Sequence, residues 1–182
     1  MRLSIVIVSA LTLFSAVQGV PQEPAADQHP DFTGVWRLDL DASTSLDAML
    51  KLQGISRFKR HAMAKTVVTQ TIEQQPDRIT IHVDSKHRHA VEDLVLDGRF
   101  RPATTPDGQE ITRRAFWTDG GRAVVAEARV VLKDGRPAVL RTERRMAEDG
   151  ATLVMLVILT AEDGTRLEAT RIFRRVPTEE AS

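Results

Sequence analysis

The stretch Asp31-Phe32-Thr33-Gly34-Val35-Trp36-Arg37-Leu38 decides the reading of this chain. It reads as the first strand of a closed antiparallel barrel, with the Trp36 ring beside Gly34 plugging the closed end as core rather than as ligand contact. Small barrels of this kind usually hold an apolar guest in the interior rather than run a reaction.

Upstream of this strand, Arg2 is a basic head and Leu3 to Phe14 is almost unbroken apolar sequence. Val17 and Gly19 sit at the small-residue positions of a cut before Val20, so residues 1–19 read as an export signal peptide. The apolar run is shorter than the ~20 residues that a bilayer span needs. Residues 20–30 offer no apolar face and read as a flexible lead-in. The barrel is then expected over 31–176, with a tail at 177–182. About 163 of the 182 residues remain after the leader, enough for one domain with its own core.

Composition removes several function classes. The 25 basic and 25 acidic residues cancel, so net charge asks for neither a nucleic acid nor an anionic surface. There is no cysteine, which excludes thiol nucleophiles, cysteine zinc sites and disulfide staples in a chain that reads as exported. Tyrosine is absent and aromatics are 4% of the chain, against an aromatic groove for bases or sugars.

Downstream, tight-turn signals recur at Asp97-Gly98, Asp107-Gly108, Asp119-Gly120-Gly121, Asp134-Gly135, Asp149-Gly150 and Asp163-Gly164. The runs between them place strands near 34–41, 66–74, 78–84, 87–95, 99–105, 109–118, 122–132, 137–146, 152–160 and 165–174. So many strands in a chain of this length predict an all-β, ten-stranded antiparallel up-and-down β-barrel whose edges are removed by closure. Leu46 to Ala64 is the one helical interval. Leu46, Met49 and Leu50 recur at helical spacing, Gly54 interrupts, and Phe58, Ala62 and Met63 resume, predicting two short helices that cover the barrel mouth.

The motifs, taken in order, resemble the intracellular lipid-binding proteins, the calycin-like and lipocalin-related family of fatty-acid-binding and retinoid-binding barrels. Phe32-x-Gly34-x-Trp36 is similar to the family's opening strand, and Leu46-x-x-Met49-Leu50-Lys51-x-x-Gly54-Ile55-Ser56 to its helix-turn-helix lid. Arg60 to Lys65 resembles the lid exit, Gln74 to Ile81 the next hairpin, and Thr170-Arg171-Ile172-Phe173 the closing strand. The resemblance implies a non-enzymatic carrier of a fatty acid or similar small hydrophobic ligand. The family's Arg-x-Tyr head-group clamp falls on Arg171 and Phe173, where the Tyr hydroxyl is lost. Family members are cytosolic, whereas this chain reads as secreted or periplasmic.

Strand parity reads independently of that resemblance. Leu167, Ala169, Arg171 and Phe173 share the more apolar face of the last strand, which turns Arg171 inward, where a ligand carboxylate would suit its planar fork. Ala138, Leu140, Thr142 and Arg144 share a face two strands earlier, although a bulge would hand the role to Arg141 or Arg145. The competing reading puts Arg144 and Arg171 outside, paired with Glu143 and Glu168. The expected ligand-binding residues are therefore Arg171, Arg144, Phe173, Met49, Leu50 and Phe58, with the last three packed against the mouth.

His82, His87 and His89 fall on the outward face and read as solvated imidazoles rather than a metal site. Ser56 and the other serines lack an elbow motif, and no Gly-rich phosphate loop follows a strand, so no catalytic residue and no cofactor are expected. A monomer with transient membrane contact through the lid completes the reading. A structural or protein-binding lipocalin-like barrel and a cavity-based enzyme are the alternatives.

Overall fold

A computed structural model describes residues 29–86, 88–105, 108–118 and 120–177. The expected leader, most of the lead-in, His87 and nearly all of the tail lie outside them. The elements run β1 (Gly34–Asp39), α1 (Asp47–Leu52), α2 (Arg57–Ala64), β2 (Val68–Gln75), β3 (Arg78–Ser85), β4 (Arg88–Val95), β5 (Arg101–Thr104), β6 (Glu110–Thr118), β7 (Ala123–Val131), β8 (Pro137–Met146), β9 (Thr152–Ala161) and β10 (Arg166–Arg175). Strand limits fall within about two residues of the expected runs, the usual spread of element ends.

The turn residues act locally to make this pattern. Gly164 adopts φ 86°, a conformation that costs glycine nothing, while the Asp163 carboxylate accepts from the Thr165 amide at 2.9 Å. Asp97, Asp134 and Asp149 accept in the same way from Arg99, Arg136 and Ala151, so one device reverses the chain at three hairpins and shapes the β4–β5 connection.

Hydrogen bonding orders the strands β4-β3-β2-β1-β10-β9-β8-β7-β6-β5, all antiparallel, with β1 joined to β10. This is the ten-stranded up-and-down barrel with two short helices between its first two strands. One expectation is corrected. The ladder does not close, because among the described residues β5 pairs with β6 alone and no ladder joins it to β4. β5 is only four residues long and carries Pro102, which has no amide to offer a further strand. Isolated contacts to β6 span the gap instead: Arg113 Nη2 donates to the Asp93 carbonyl of β4 at 3.1 Å, and just past β4 the Gly98 amide donates to the Ala115 carbonyl at 2.9 Å beside a single Asp97–Phe116 bridge.

Two apolar clusters fill the curled sheet. At one end Phe32, Trp36, Leu38, Ile72, Ile81, Leu153 and Phe173 pack together, and Trp36 is fully buried. Its indole Nε1 donates to the Phe32 carbonyl at 2.8 Å and the Arg175 guanidinium lies 4.3 Å above its ring, so the opening motif is a plug held by its own backbone. Toward the helices, Met49 joins Leu132, Ala138, Val157, Leu159, Ala161 and Ala169. Among the described residues no helix is long and apolar enough to cross a membrane.

The lid is built from local rules. Ser56 caps α2 by accepting from the Lys59 amide, and Gly54 takes φ 84° between the helices. Arg60 ties the pair together, donating to the Asp47 carboxylate at 2.7 Å and to the Ile55 carbonyl at 2.8 Å. The Thr44 amide donates to the Thr170 carbonyl at 2.8 Å and the Lys133 amide to the Leu52 carbonyl at 3.2 Å, anchoring the α1 side to the sheet.

Candidate functional site

Between the helices and the open end of the sheet lies a cavity of about 860 Å³, within the range of small-molecule sites. Leu40 of the β1 exit, Leu46 and Leu50 of the α1 side, Val68, Val83 and Ala90 supply apolar wall. Arg171, Arg88, Arg60, Lys59, Glu92 and Asp47 supply charge. Period two explains the sheet wall, since alternate residues of β2, β3, β4 and β10 face the same side.

Arg171 has the inward parity read from the sequence. It stands between Ala169 and Phe173 on the inner face, lines the cavity, and donates from Nη1 to the Thr44 carbonyl at 2.9 Å. Burial pulls its guanidinium below the ordinary arginine value, and no carboxylate among the described residues forms an ion pair with it. A half-buried cation facing an apolar cavity with one backbone acceptor has unused donors aimed where an anion would sit.

The other expected residues divide. Leu50 lines the cavity. Phe58 lines its entrance but is 85% exposed, a correction to the expectation that it packs against the mouth: no side chain of α2 is fully buried. Met49 does the packing instead, at 3% exposure within the upper cluster, and stands off the cavity wall. Phe173 likewise lies deeper than the wall, in the cluster around Trp36.

Arg144 is inward and 3% exposed. Its Nη1 donates to Thr142 Oγ1 at 3.2 Å and its Nη2 to Glu92 Oε2 at 3.4 Å, while its Nε is buried without a partner among the described residues. Burial lowers its affinity for the proton, Glu92 opposes that, and the nearby Arg113 charge adds to it. For arginine this registers the cost of a buried charge rather than a titration near neutral pH. Arg141 and Arg145 are outside: Arg141 bridges Glu127 at 2.8 Å and Glu143 at 3.0 Å, and Arg145 reaches Glu143 at 2.7 Å. No bulge interrupts the β7–β8 register, so the inward parity goes to Arg144.

Glu92, Arg88 and Arg113 were not singled out from the sequence. The signal for the first two was present, since they share parity with Ala90 and Leu94 on β4. Arg113 shares parity with the buried Ala115 on β6, but its approach to Arg144, two strands away on β8, is set by the curl of the sheet and not by parity. On the outer face His82 lies 3.9 Å from Glu73 and His89 contacts Asp84. Among the described residues no three potential metal ligands cluster. Ser56 serves as a helix cap.

No protein-family model and no curated protein matches the chain. Solved structures do. A structure titled "REP1-NXSQ fatty acid transporter" superposes with a TM-score of 0.60 at 23% identity, covering 80% of this chain and 96% of that one. A point variant of the same transporter gives 0.59 at 24% identity over 79% and 97%. The apo form of lipid binding protein 8 from Caenorhabditis elegans gives 0.61 at 15% identity over 80% and 95%. This likeness establishes the fold as that of the fatty-acid-binding type of barrel.

Proposed function

We propose that the protein is a non-enzymatic carrier that holds a fatty acid or similar amphipathic carboxylate in the cavity beneath the lid, for transport or sequestration in a secreted or periplasmic setting. The observation that carries this reading is Arg171: a half-buried guanidinium on the wall of an otherwise largely apolar cavity, free of a carboxylate partner among the described residues. An acid head group would supply two acceptors to its fork, and the aliphatic chain would replace water along Leu50, Val68 and Val83. The fatty acid transporter and lipid-binding titles of the structural neighbours support the ligand class. During delivery, Phe58 and Met63, both exposed on α2, would make the transient membrane contact.

A charge-assisted bond of about 1.5–3 kcal/mol corresponds to roughly ten- to a hundredfold in affinity. Arg171→Gln is therefore expected to weaken hexadecanoic acid by that factor and to change hexadecanol binding much less. Calorimetric titration of both ligands is the test, with native mass spectrometry of protein from its source to show whether an acid co-purifies. Equal losses for acid and alcohol would mean that Arg171 supports the sheet rather than reading a head group.

A further inference from the structure

We propose that Glu92 is a specificity-determining residue: an internal counter-ion that occupies Arg144 and thereby restricts the cavity to ligands with a single carboxylate, held at Arg171. The inference rests on the reading of the cavity as a carboxylate site.

Three observations carry it. Glu92 lines the same cavity as Arg171, and its side chain is 37% exposed there. Arg144 lies behind it, almost fully buried, joined to Glu92 at 3.4 Å, and is not part of the wall. Among the described residues the guanidinium is incompletely satisfied, with one Nη on Thr142, the other on Glu92 at long range, and a buried Nε that finds no acceptor.

An anion arriving at this part of the wall, beside Arg88 on the same face of β4, therefore meets the carboxylate of Glu92 in front of the Arg144 guanidinium. Like charges in a site of reduced dielectric repel strongly. Removal of the Glu92 charge leaves the buried Arg144 without its carboxylate, and the nearby Arg113 charge adds to the positive potential there. Arg144 would then be released to pair with the far acid group of a dicarboxylic acid whose first carboxylate is held at Arg171. Glu92 is thus a built-in discriminator against a second acid group.

The test is calorimetric titration with hexadecanoic acid and with dicarboxylic acids from dodecanedioic to octadecanedioic, using the full chain and its Glu92→Gln and Glu92→Gln/Arg144→Gln variants. The wild type is expected to prefer the monoacid. Glu92→Gln is expected to tighten the best-fitting diacid roughly ten- to a hundredfold, with a much smaller change for the monoacid, and the double variant to lose that gain. An unchanged diacid-to-monoacid ratio in Glu92→Gln, or a gain that survives in the double variant, would overturn the proposal. Equal wild-type affinity for mono- and diacids would also overturn it, without any variant. Glu92→Thr, compatible with a strand, replaces Glu92→Gln if folding is lost, with the same expectation. A wild type that binds none of these acids sinks this inference together with the carrier reading. Monoacid binding that is insensitive to Arg171→Gln sinks the Arg171 anchor alone, while the Glu92→Gln ratio still decides Glu92.

Discussion

Gly34 shows how much one residue of the opening motif contributes. Its φ of 138° is a conformation that side-chain-bearing residues avoid, and a Cβ added there would stand 2.8 Å from Arg175 Nη1. That guanidinium group donates to the Thr33 carbonyl at 3.0 Å while its head covers Trp36. Arginine can swing away, so the steric clash is relieved, but the backbone strain and the lost bond remain. Gly34→Ala is expected to lower unfolding free energy by about 1–3 kcal/mol, read from denaturant titration, while ligand stoichiometry is retained. A fully stable variant would show that the strand relaxes to an extended φ at no cost. Residue by residue, the inward charges follow the same logic: Arg171 and Arg144 were legible from period-two parity, whereas the pairing of Arg144 with Glu92 joins residues 52 positions apart on non-adjacent strands.

At the level of elements, the lid divides into an anchored half and an exposed half. Met49 of α1 is buried against β7, β8, β9 and β10 residues, while Phe58 of α2 projects at the cavity entrance. Met49→Ala should therefore cost about 2–5 kcal/mol of stability through the cavity it leaves. Phe58→Ala should change stability by less than about 0.5 kcal/mol yet alter the rate of fatty-acid release to vesicles. Stopped-flow release and thermal unfolding of the two variants check both halves of the expectation. Unchanged release in Phe58→Ala would place entry elsewhere, with the gap between β4 and β5 the next route to examine. Helical spacing located both helices, but it could not say which of them finds the core. That depends on which lid residues the sheet lies beneath.

For the whole molecule, stability is expected to follow the ladder. β9 is paired on both sides along its full length, between β8 and β10, whereas β5 is short, contains Pro102 and pairs only with β6. β4 exposes the opposite free edge. Amide hydrogen exchange should therefore be fastest in β5 and along the free edge of β4, and slowest in β9 and its partners. Ligand binding should protect β10 and the lid more than β6. Uniform protection across all ten strands would indicate that the barrel opens only as a unit.

The sequence by itself determined the strands, their turns, the split lid, the buried Trp36 plug and the inward face of Arg171. Each of these is set by neighbours a few residues away, through Asp-Gly reversals, period-two alternation or helical spacing. Only the tertiary structure decided that the ladder stays open between β4 and β5, that Glu92 faces Arg144, and that Met49 rather than Phe58 seals the mouth. These depend on how far the sheet curls and on which distant side chains then meet. Local periodicity assigns a face to each residue, but the distance across the barrel is fixed by the packing of all ten strands together.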